Sequence, residues 1–154
     1  MNMHIPQSLQ TAVELEQICL VPQHIISPGT STPCIEIVQD TLLGAYLLTI
    51  NDVKLRKDQV QNYMMFSKRY NGYLPEPFGY EFGEPYWTGK QLYSLILPDI
   101  SISQVKDIKI IRGQITSGYL TSDTLGAGSA GLIKQIHNAY GTATCNDFLN
   151  DTQK

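Results

Sequence analysis

The sequence contains few of the residues from which metal sites and disulfide frameworks are built. It has three cysteines and three histidines in 154 residues, and neither set shows the close spacing of zinc ligands. Cys19, Cys34 and Cys145 stand far apart and leave an odd count, which argues against a disulfide scaffold and favours a reducing compartment. We therefore expect free thiols and no metal site built from these residues.

The sequence also lacks a long apolar run and an excess of positive charge. No apolar stretch approaches the roughly 18 residues that span a bilayer, and residues 1–4 lack the basic and apolar parts of a signal peptide. The 14 acidic residues outnumber the 11 lysines and arginines. Because each neutralised phosphate normally needs a Lys or Arg, this balance argues against broad coating of duplex nucleic acid. Any contact with nucleic acid must be local.

The remaining composition is that of a globular domain. A hydrophobic content of 42% and a mean hydropathy of -0.14 exclude a disordered chain, and 154 residues suffice for one domain with a buried core. Helical and β-type apolar patterns alternate without an internal repeat. The sequence predicts an irregular α+β domain of mixed helices and short antiparallel strands.

Apolar residues at helical spacing predict the main helices. The first runs from Leu9 to Cys19, with Ser8 as its N-cap, and ends before Pro22. The second follows Asp40 as N-cap, and Gly44 within it predicts the close approach of another backbone. The residues expected on the buried face of this second helix are Leu42, Leu43, Tyr46 and Leu47.

Further elements follow from the same patterns. Asp58 is expected to cap a third helix, and Arg112-Gly113 is expected to lie between two strands. The residues expected on one side of the third helix are Val60, Tyr63, Met64 and Ser67. The other expected elements are helices at 90–97, from Ser129 or Ala130 to Tyr140 and at 144–149, and strands at 25–26, 35–38, 108–111 and 114–120.

The segment from Tyr70 to Pro85 is rich in glycine, proline and aromatic residues. These breakers disfavour a helix or a central strand, so an ordered surface loop is predicted. Together with the two aromatic residues that follow it, this segment forms a candidate binding face. Glu76, Glu81 and Glu84 also lie there, and isolated acids on a loop are more often solvated than paired as acid and base.

Residues 126–131, Gly-Ala-Gly-Ser-Ala-Gly, match the dinucleotide fingerprint and precede a predicted helix. That fingerprint normally follows a buried strand, whereas residues 121–124 are polar and turn-like. A flexible loop entering a helix is the favoured interpretation, and a phosphate-binding loop of a small nucleotide-binding enzyme is the alternative. No serine or cysteine is linked by motif to a histidine and an acid, so no catalytic residue is predicted.

Five of the 11 basic residues lie between positions 54 and 69, around one predicted helix. They are Lys54, Arg56, Lys57, Lys68 and Arg69. Aromatic residues are interleaved with them, a pattern typical of binding to single-stranded nucleic acid or nucleotide phosphates. Acidic residues sit among the same charges, Asp52 and Asp58. A solvated helix face is therefore the favoured interpretation.

Residues 2–8, Asn-Met-His-Ile-Pro-Gln-Ser, carry the strongest family signal. They resemble the motif that directly follows the Asp-rich metal loop in the largest subunit of multisubunit DNA-dependent RNA polymerases, of the eukaryotic or viral type. A second block, at 25–28, 33–34 and 37–44, resembles the segment that comes next in that subunit. Residues 86–98, 113–118 and 131–133 continue the match. The resemblance thus covers nearly the whole chain.

In this family the region is the pore domain. The resemblance implies that residues 1–154 form this one domain, with 1–7 as the tail end of the active-site domain. The implied function is to shape the channel through which nucleoside triphosphates enter and through which the RNA 3′ end is extruded during backtracking. The catalytic aspartates would precede residue 1, so the resemblance implies a part of a nucleotidyltransferase that is inactive alone. It implies no cofactor in this chain, with Mg²⁺ belonging to the intact enzyme.

The resemblance also implies roles for individual residues. Those expected near the active centre are Asn2, His4, Pro6, Gln7, Gln39 and Asp40. Candidate contacts to phosphate or RNA are Lys54, Arg56, Lys57 and Lys134. Where family members often have a basic pair, this chain has Ser122 and Asp123. This divergence favours a large DNA virus or a distant eukaryotic lineage.

The implied partners are the rest of the largest subunit, other polymerase subunits, the RNA 3′ end, nucleoside triphosphates and a transcript-cleavage factor, with no membrane. The expected location is intracellular, cytoplasmic for a large DNA virus and otherwise nuclear. The alternative hypothesis is a free-standing protein-interaction module that uses the aromatic loop 70–87 as its binding face.

Overall fold

The fold combines helices with short antiparallel strands, which confirms the predicted α+β class. The computed structural model describes residues 2–51, 53–68, 70–103, 108–128 and 131–154. The helices are α1 Leu9–Gln17, α2 Gln39–Ile50, α3 Lys57–Met64, α4 Gly89–Ser94, α5 Ser122–Leu125 and α6 Leu132–Gln153, and a 3-10 turn spans Val21–His24. The strands are β1 Lys54–Arg56, β2 Gly79–Glu81, β3 Glu84–Thr88, β4 Ile108–Ile111 and β5 Gln114–Gly118.

Helix α1 begins where the sequence predicts. The Oγ of Ser8 accepts a hydrogen bond from the backbone N–H of Thr11 at 3.1 Å, so the predicted N-cap is confirmed. The helix ends at Gln17, and Pro22 lies in the 3-10 turn that follows. No residue of α1 is buried, and its apolar side chains, among them Leu9 and Val13, face solvent.

The two strands predicted at 25–26 and 35–38 are wrong. One antiparallel bridge, Ile26 to Pro33, forms in this part of the chain, and the N–H of Cys34 donates to the carbonyl of Ile25 at 2.8 Å. Ile26 and Pro33 form a pair that exchanges no hydrogen bonds of its own, so the missing N–H of Pro33 is tolerated, and no longer ladder forms around this bridge. Ile25 and Ile37 are nevertheless buried in the main core, as the apolar pattern indicates.

Helix α2 departs from the sequence prediction in its cap and in its buried face. Its N-cap is Val38, and Asp40 lies in the first turn, where a carboxylate favours the positive end of the helix dipole. Ala45 and Thr49 are the buried residues, whereas Leu43 and Leu47 are each 54% exposed. Residues 42–50 are apolar almost all round the helix, so their spacing does not select one face.

The close backbone approach predicted at Gly44 occurs at Gly89 instead. A Cβ added at Gly44 meets nothing within 4 Å. A Cβ added at Gly89, the first residue of α4, would overlap the backbone carbonyl of Leu48 in α2. Gly89 therefore lets helices α2 and α4 pack at a distance that no side chain permits.

The predicted surface loop, 70–85, is irregular from 70 to 78, as expected, and then forms a β-hairpin that was not predicted. Strands β2 and β3 pair with Tyr80 opposite Pro85, and β1 adds to the other edge of β3 with Leu55 opposite Trp87. Alternate pairs of an antiparallel ladder exchange no hydrogen bonds, which is why the proline is tolerated next to the closing pair. Phe82 and Gly83 form the turn with φ of 51° and 87°, the positive values of a type I′ turn.

Helix α3 and this sheet enclose a small second core of four buried residues, Leu55, Val60, Met64 and Trp87. The Nε1 of Trp87 donates to the carbonyl of Pro75 at 2.9 Å, which holds the preceding irregular segment against the sheet. Asp58 lies in the first turn of α3 and is not its N-cap, since that position belongs to Arg56. Tyr63, predicted on the buried side, is 48% exposed.

The main core lies between the β4–β5 hairpin and helices α2, α4 and α6. The predicted strands about Arg112-Gly113 are confirmed, with φ of 49° and 72° at these two turn residues. Gly141, with φ of 79°, interrupts α6, so the two predicted helical stretches correspond to its two halves. The predicted start at Ser129 or Ala130 lies outside the described residues, and the described helix begins at Leu132.

A buried hydroxyl joins α2 to the segment after β5. The Oγ1 of Thr49, which is 0% exposed, donates to the carbonyl of Ala45 at 2.8 Å and accepts from the N–H of Leu120 at 3.0 Å. Leu120 is also 0% exposed, so water cannot replace this acceptor. Within the described part of the chain, no helix is long and apolar enough to cross a membrane.

We predict opposite effects on stability for alanine at two glycines. Gly89→Ala should lower the free energy of unfolding by about 1–3 kcal/mol or more, because the new methyl group overlaps the Leu48 carbonyl and the backbones must separate. Gly44→Ala, the matched control in a helix with free space, should raise it by up to about 1 kcal/mol. Urea denaturation of the two variants measures both, and equal effects would contradict the assignment.

We also predict that Thr49→Val destabilises the chain by about 1–3 kcal/mol, because the isosteric change leaves the buried N–H of Leu120 without an acceptor. Thr116→Val is the control, since this exposed hydroxyl also donates to a carbonyl, that of Lys109 at 3.0 Å. Its change should stay within about 0.5 kcal/mol. Thermal unfolding compares the two, and a Thr49 effect no larger than that of Thr116 would be inconsistent with the buried link.

Candidate functional site

A cavity of about 620 Å³ lies between α2, α3, α4 and the C-terminal end of α6. Its walls are mainly apolar, with Leu48, Met64 and Ile96 among the lining residues. Its polar lining includes Asp40 and Thr41 from the start of α2 and residues 151–154 at the end of α6 and just after it. The volume falls in the range of small-molecule pockets, although the cavity is open to solvent on one side.

Helix α4 positions the aromatic wall of this cavity. Thr88 and Gln91 form a reciprocal capping box at its start, with the N–H of Gln91 donating to Thr88 Oγ1 at 3.3 Å and the N–H of Thr88 donating to Gln91 Oε1 at 3.1 Å. Tyr93, one turn later, is buried. Burial raises the pKa of Tyr93 above its usual range, so the phenol stays neutral at physiological pH.

The last turns of α6 hold the segment after α3 in place. The carboxylate of Asp151 accepts from Ser67 Oγ at 3.2 Å and from the N–H of Lys68 at 3.5 Å. The Nζ of Lys68 donates to Asp147 Oδ1 at 2.7 Å, and this hydrogen bond raises the pKa of Lys68. These bonds join the last turns of α6 to the segment after α3, and both of these parts of the chain line the cavity.

The residues expected near the active centre lie in two separate places. Asn2, His4, Pro6 and Gln7 are all exposed in the irregular segment before α1, and Gln39 and Asp40 are exposed at the start of α2. No described hydrogen bond joins these two groups. Of the six, Asp40 lines the cavity. Gln39 has a φ of 54°, an unusual value for a residue with a side chain.

The predicted basic residues on β1 are already paired with acids. The Nζ of Lys54 donates to both carboxylate oxygens of Glu81, at 2.7 and 2.8 Å, and lies 5.1 Å from the ring centre of Tyr86. The hydrogen bond to Glu81 raises the pKa of Lys54. Arg56 pairs with Asp58 at 3.0 Å. These exposed pairs reduce the positive charge that β1 presents.

Lys57 and Lys134 differ from this pair, because neither makes an ion pair within the described ranges. Lys57 is exposed at the start of α3, and Lys134 is half-buried in the first turn of α6. Lys54, Arg56 and Lys57 lie within four consecutive residues of β1 and α3, whereas Lys134 lies on α6. Asp52 and Arg69, which the sequence places in the same basic region, lie outside the described residues.

Two glycines of the segment 126–131 have a structural explanation that needs no nucleotide, and residues 129–130 lie outside the described residues. Helix α5 precedes the segment, whereas the dinucleotide fingerprint requires a strand. A Cβ at Gly126 would lie 2.5 Å from the carbonyl oxygen of Ser122, and one at Gly131 would lie 2.9 Å from that of Gly126. Two of its glycines thus let the turn fold tightly on its own backbone. The structure removes the basis of the nucleotide-enzyme alternative.

The acids of the aromatic segment form no catalytic pair. Glu81 faces Glu84 across the hairpin and is held by Lys54. Across the part of the chain that the structure describes, no three His, Cys, Asp or Glu side chains come close enough together to hold a metal ion. No catalytic step is assigned to these residues.

Sequence reasoning missed Tyr93 and Asp151. Tyr93 lies in the helix predicted at 90–97, which the structure has as Gly89–Ser94, but the burial of its side chain was not predicted. Asp151 stands in a polar stretch with no local signal of burial. Its burial depends on a contact with Ser67, 84 residues away in sequence.

The chain matches known proteins along most or all of its length. The profile of the family described as RNA polymerase Rpb1, domain 3, matches residues 24–154. The DNA-directed RNA polymerase II subunits RPB1-A and RPB1-B of Trypanosoma brucei brucei are each 38% identical to the chain over 165 aligned positions. These alignments cover 100% of this chain and 9% of each relative. The predicted resemblance is confirmed, and the chain belongs to the family of domain 3 of Rpb1, the largest subunit of RNA polymerase.

Proposed function

We propose that this chain serves as the pore domain of an RNA polymerase, shaping the route by which nucleoside triphosphates enter and the backtracked RNA 3′ end leaves. The observation that carries the proposal is the match over the full chain to two RNA polymerase II largest subunits. Since the chain spans 9% of each relative, the activity of a complete polymerase is part of the proposal. Mg²⁺ would be held elsewhere in the enzyme.

The exposed segment 2–7 supports a position beside the active centre. The side chains of Asn2, His4 and Gln7 face solvent, and the one described hydrogen bond among them is a local one, from Gln7 Nε2 to the carbonyl of Ile5 at 3.5 Å. Their polar groups are therefore available to neighbouring parts of a polymerase. At the start of α2, Gln39 and Asp40 offer a second group of exposed polar side chains on a rigid helix.

Two exposed apolar surfaces support assembly with other polypeptide. On α1 and just after it, Leu9, Val13 and Ile18 are between 48% and 83% exposed. On α2, Leu43 and Leu47 add a second surface. Apolar surfaces of this kind mark protein contacts. We propose the rest of a largest subunit, other polymerase subunits and a transcript-cleavage factor as partners, together with RNA and nucleoside triphosphates.

Charge distinguishes the four candidate phosphate contacts. Lys54 and Arg56 are engaged with Glu81 and Asp58, so their attraction for an incoming triphosphate is reduced. Lys57 and Lys134 keep their charge uncompensated by any described ion pair. We propose that these two lysines guide phosphates more strongly than the two residues on β1. Ser122 and Asp123, exposed at the start of α5, add no positive charge to this route.

The second candidate function, a free-standing interaction module, has one observation in its favour. Tyr73, Phe78, Tyr80 and Phe82 are between 64% and 102% exposed. The binding face expected on loop 70–87 is interrupted, however. Trp87 is buried in the second core, and residues 79–88 form a hairpin in place of a loop. The viral origin and the cellular compartment remain predictions from the sequence.

We predict that charge reversal at the unpaired lysines impairs substrate entry. In a polymerase that contains this chain, Lys57→Glu and Lys134→Glu should each raise the apparent KM for nucleoside triphosphates about threefold to tenfold at low salt, because a guiding charge is replaced by a repelling one. Added salt should shrink the effect. Single-nucleotide addition at varied substrate concentration measures it.

The control is Lys109→Glu, a reversal at an exposed position of β4. It changes the net charge equally and should leave the apparent KM within about twofold of the original value. If all three reversals act alike, the effect is one of net charge and the proposed route is wrong.

A further inference from the structure

The turn of the β2–β3 hairpin presents a phenylalanine in an unfavourable backbone conformation. Phe82 has a φ of 51° and its side chain is 102% exposed, as open as in an extended peptide. Turns of this type favour asparagine, aspartate or glycine at that position, and a bulky residue with positive φ is a genuine outlier. Phe82 is thus unfavourable to the isolated fold in two ways, because it does not suit its turn position and because its apolar ring is not buried.

The second hairpin shows how such a conformation is supported elsewhere in the same fold. At its turn, the N–H of Arg112 donates to Ser101 Oγ at 3.0 Å, and the N–H of Gly113 donates to the carbonyl of Ile100 at 2.8 Å. No described hydrogen bond from outside the hairpin reaches Phe82 or Gly83, and a Cβ built on Gly83 meets nothing within 4 Å. Packing within the chain therefore does not account for Phe82.

The hairpin itself is firmly built. Gly79 leaves room for the ring of Tyr86, whose atoms would lie 3.0–3.2 Å from a Cβ at that position. The Nζ of Lys54 lies over the ring of Tyr86 and also binds Glu81. Lys54 therefore ties β1 to β2 across the central strand, β3. Phe82 thus stands at the tip of a supported three-stranded sheet, with exposed Tyr80 in β2 and exposed Phe78 just before β2.

Charge decides what kind of partner fits this tip. Between residues 76 and 88 there are three carboxylates, Glu76, Glu81 and Glu84, and no lysine or arginine. Lys54 compensates Glu81, whereas Glu84 has no ion pair among the described residues. A nucleic acid or a triphosphate would be repelled by these groups. A protein surface with an apolar socket and a rim of lysine or arginine complements both the ring and the charge.

We propose that the tip of this hairpin, residues 78–86, docks through Phe82 into a basic-rimmed apolar socket on another protein subunit of the polymerase. The inference rests on the proposed function in one respect, since it takes the chain to be part of a multisubunit polymerase. Aromatic anchors of this kind dominate interface energetics when they are fully desolvated. The strain at Phe82 is then offset in the assembly and not in the isolated fold.

Site-specific photo-crosslinking in the purified polymerase tests the proposal. A benzophenone analogue of phenylalanine at position 82 should crosslink to another protein subunit, at a site flanked by lysine or arginine, at least about tenfold more efficiently than the same analogue at Tyr73. Tyr73 is the matched control because it is an 80% exposed aromatic residue outside the hairpin. Crosslinking to nucleic acid, equal yields at both positions, or no crosslink at position 82 would overturn the proposal.

A substitution separates docking from folding. Phe82→Asn suits the positive φ, so the midpoint of thermal unfolding of the chain should stay unchanged or rise. When the polymerase is washed with increasing salt, the same change should lower the amount of the crosslinked subunit that stays bound about tenfold or more. Phe82→Tyr, which keeps an aromatic ring, should leave the subunit bound. Unaltered subunit retention with asparagine at position 82 would refute docking through this ring.

The two proposals fail in different ways. If Lys57→Glu and Lys134→Glu leave substrate KM unchanged while position 82 still crosslinks to a subunit, the phosphate-guiding part of the proposed pore function fails and the docking surface stands. If the lysine variants raise KM and position 82 gives no protein crosslink, the docking surface fails and the pore assignment stands.

Discussion

The contact between Gly89 and the backbone of Leu48 is the constraint on which the arrangement of this fold depends. A Cβ at Gly89 would overlap the Leu48 carbonyl, so α2 and α4 pack closer than side chains normally allow. Leu48 packs against both hydrophobic cores. Gly89 directly follows β3, whose last residue Thr88 caps α4. One point of contact therefore sets how the three-stranded sheet and its hairpin stand relative to the main core.

Buried hydrogen bonds fix further parts of the fold relative to one another. Thr49, the neighbour of Leu48, joins α2 to Leu120 through its hydroxyl, and Asp151 joins α6 to Ser67 and Lys68 beyond the second core. Such groups are costly when unpaired, so each link specifies one arrangement among those that apolar packing alone permits. For function, these contacts mean that the elements carrying the candidate site residues are held in fixed positions. They hold the polar start of α2 in the cavity wall and the acidic, aromatic hairpin tip on the sheet.

Local signals explain which parts of the fold the sequence predicts. Ser8 as a cap and Arg112-Gly113 as a turn depend on neighbouring residues, and both are confirmed. The face of α2 was wrong because the helix is apolar almost all round, and the hairpin at 79–88 was missed because Phe82 is an unusual residue for its turn. Gly89 and Asp151 act through residues distant in sequence, which no local pattern reveals. The family was predicted from the ordered motifs, whereas the roles proposed for residues 2–7 stay predictions.

The most direct measurement of the central claim places a photoreactive nucleotide at the 3′ end of the RNA in a polymerase that contains this chain. In a backtracked complex the crosslinks should map to this chain, within residues 2–7 or at the start of α2, and they should diminish when the RNA is realigned with the active centre. Crosslinks that map elsewhere in the enzyme in both states would contradict the account, because a pore-lining domain must meet the extruded RNA.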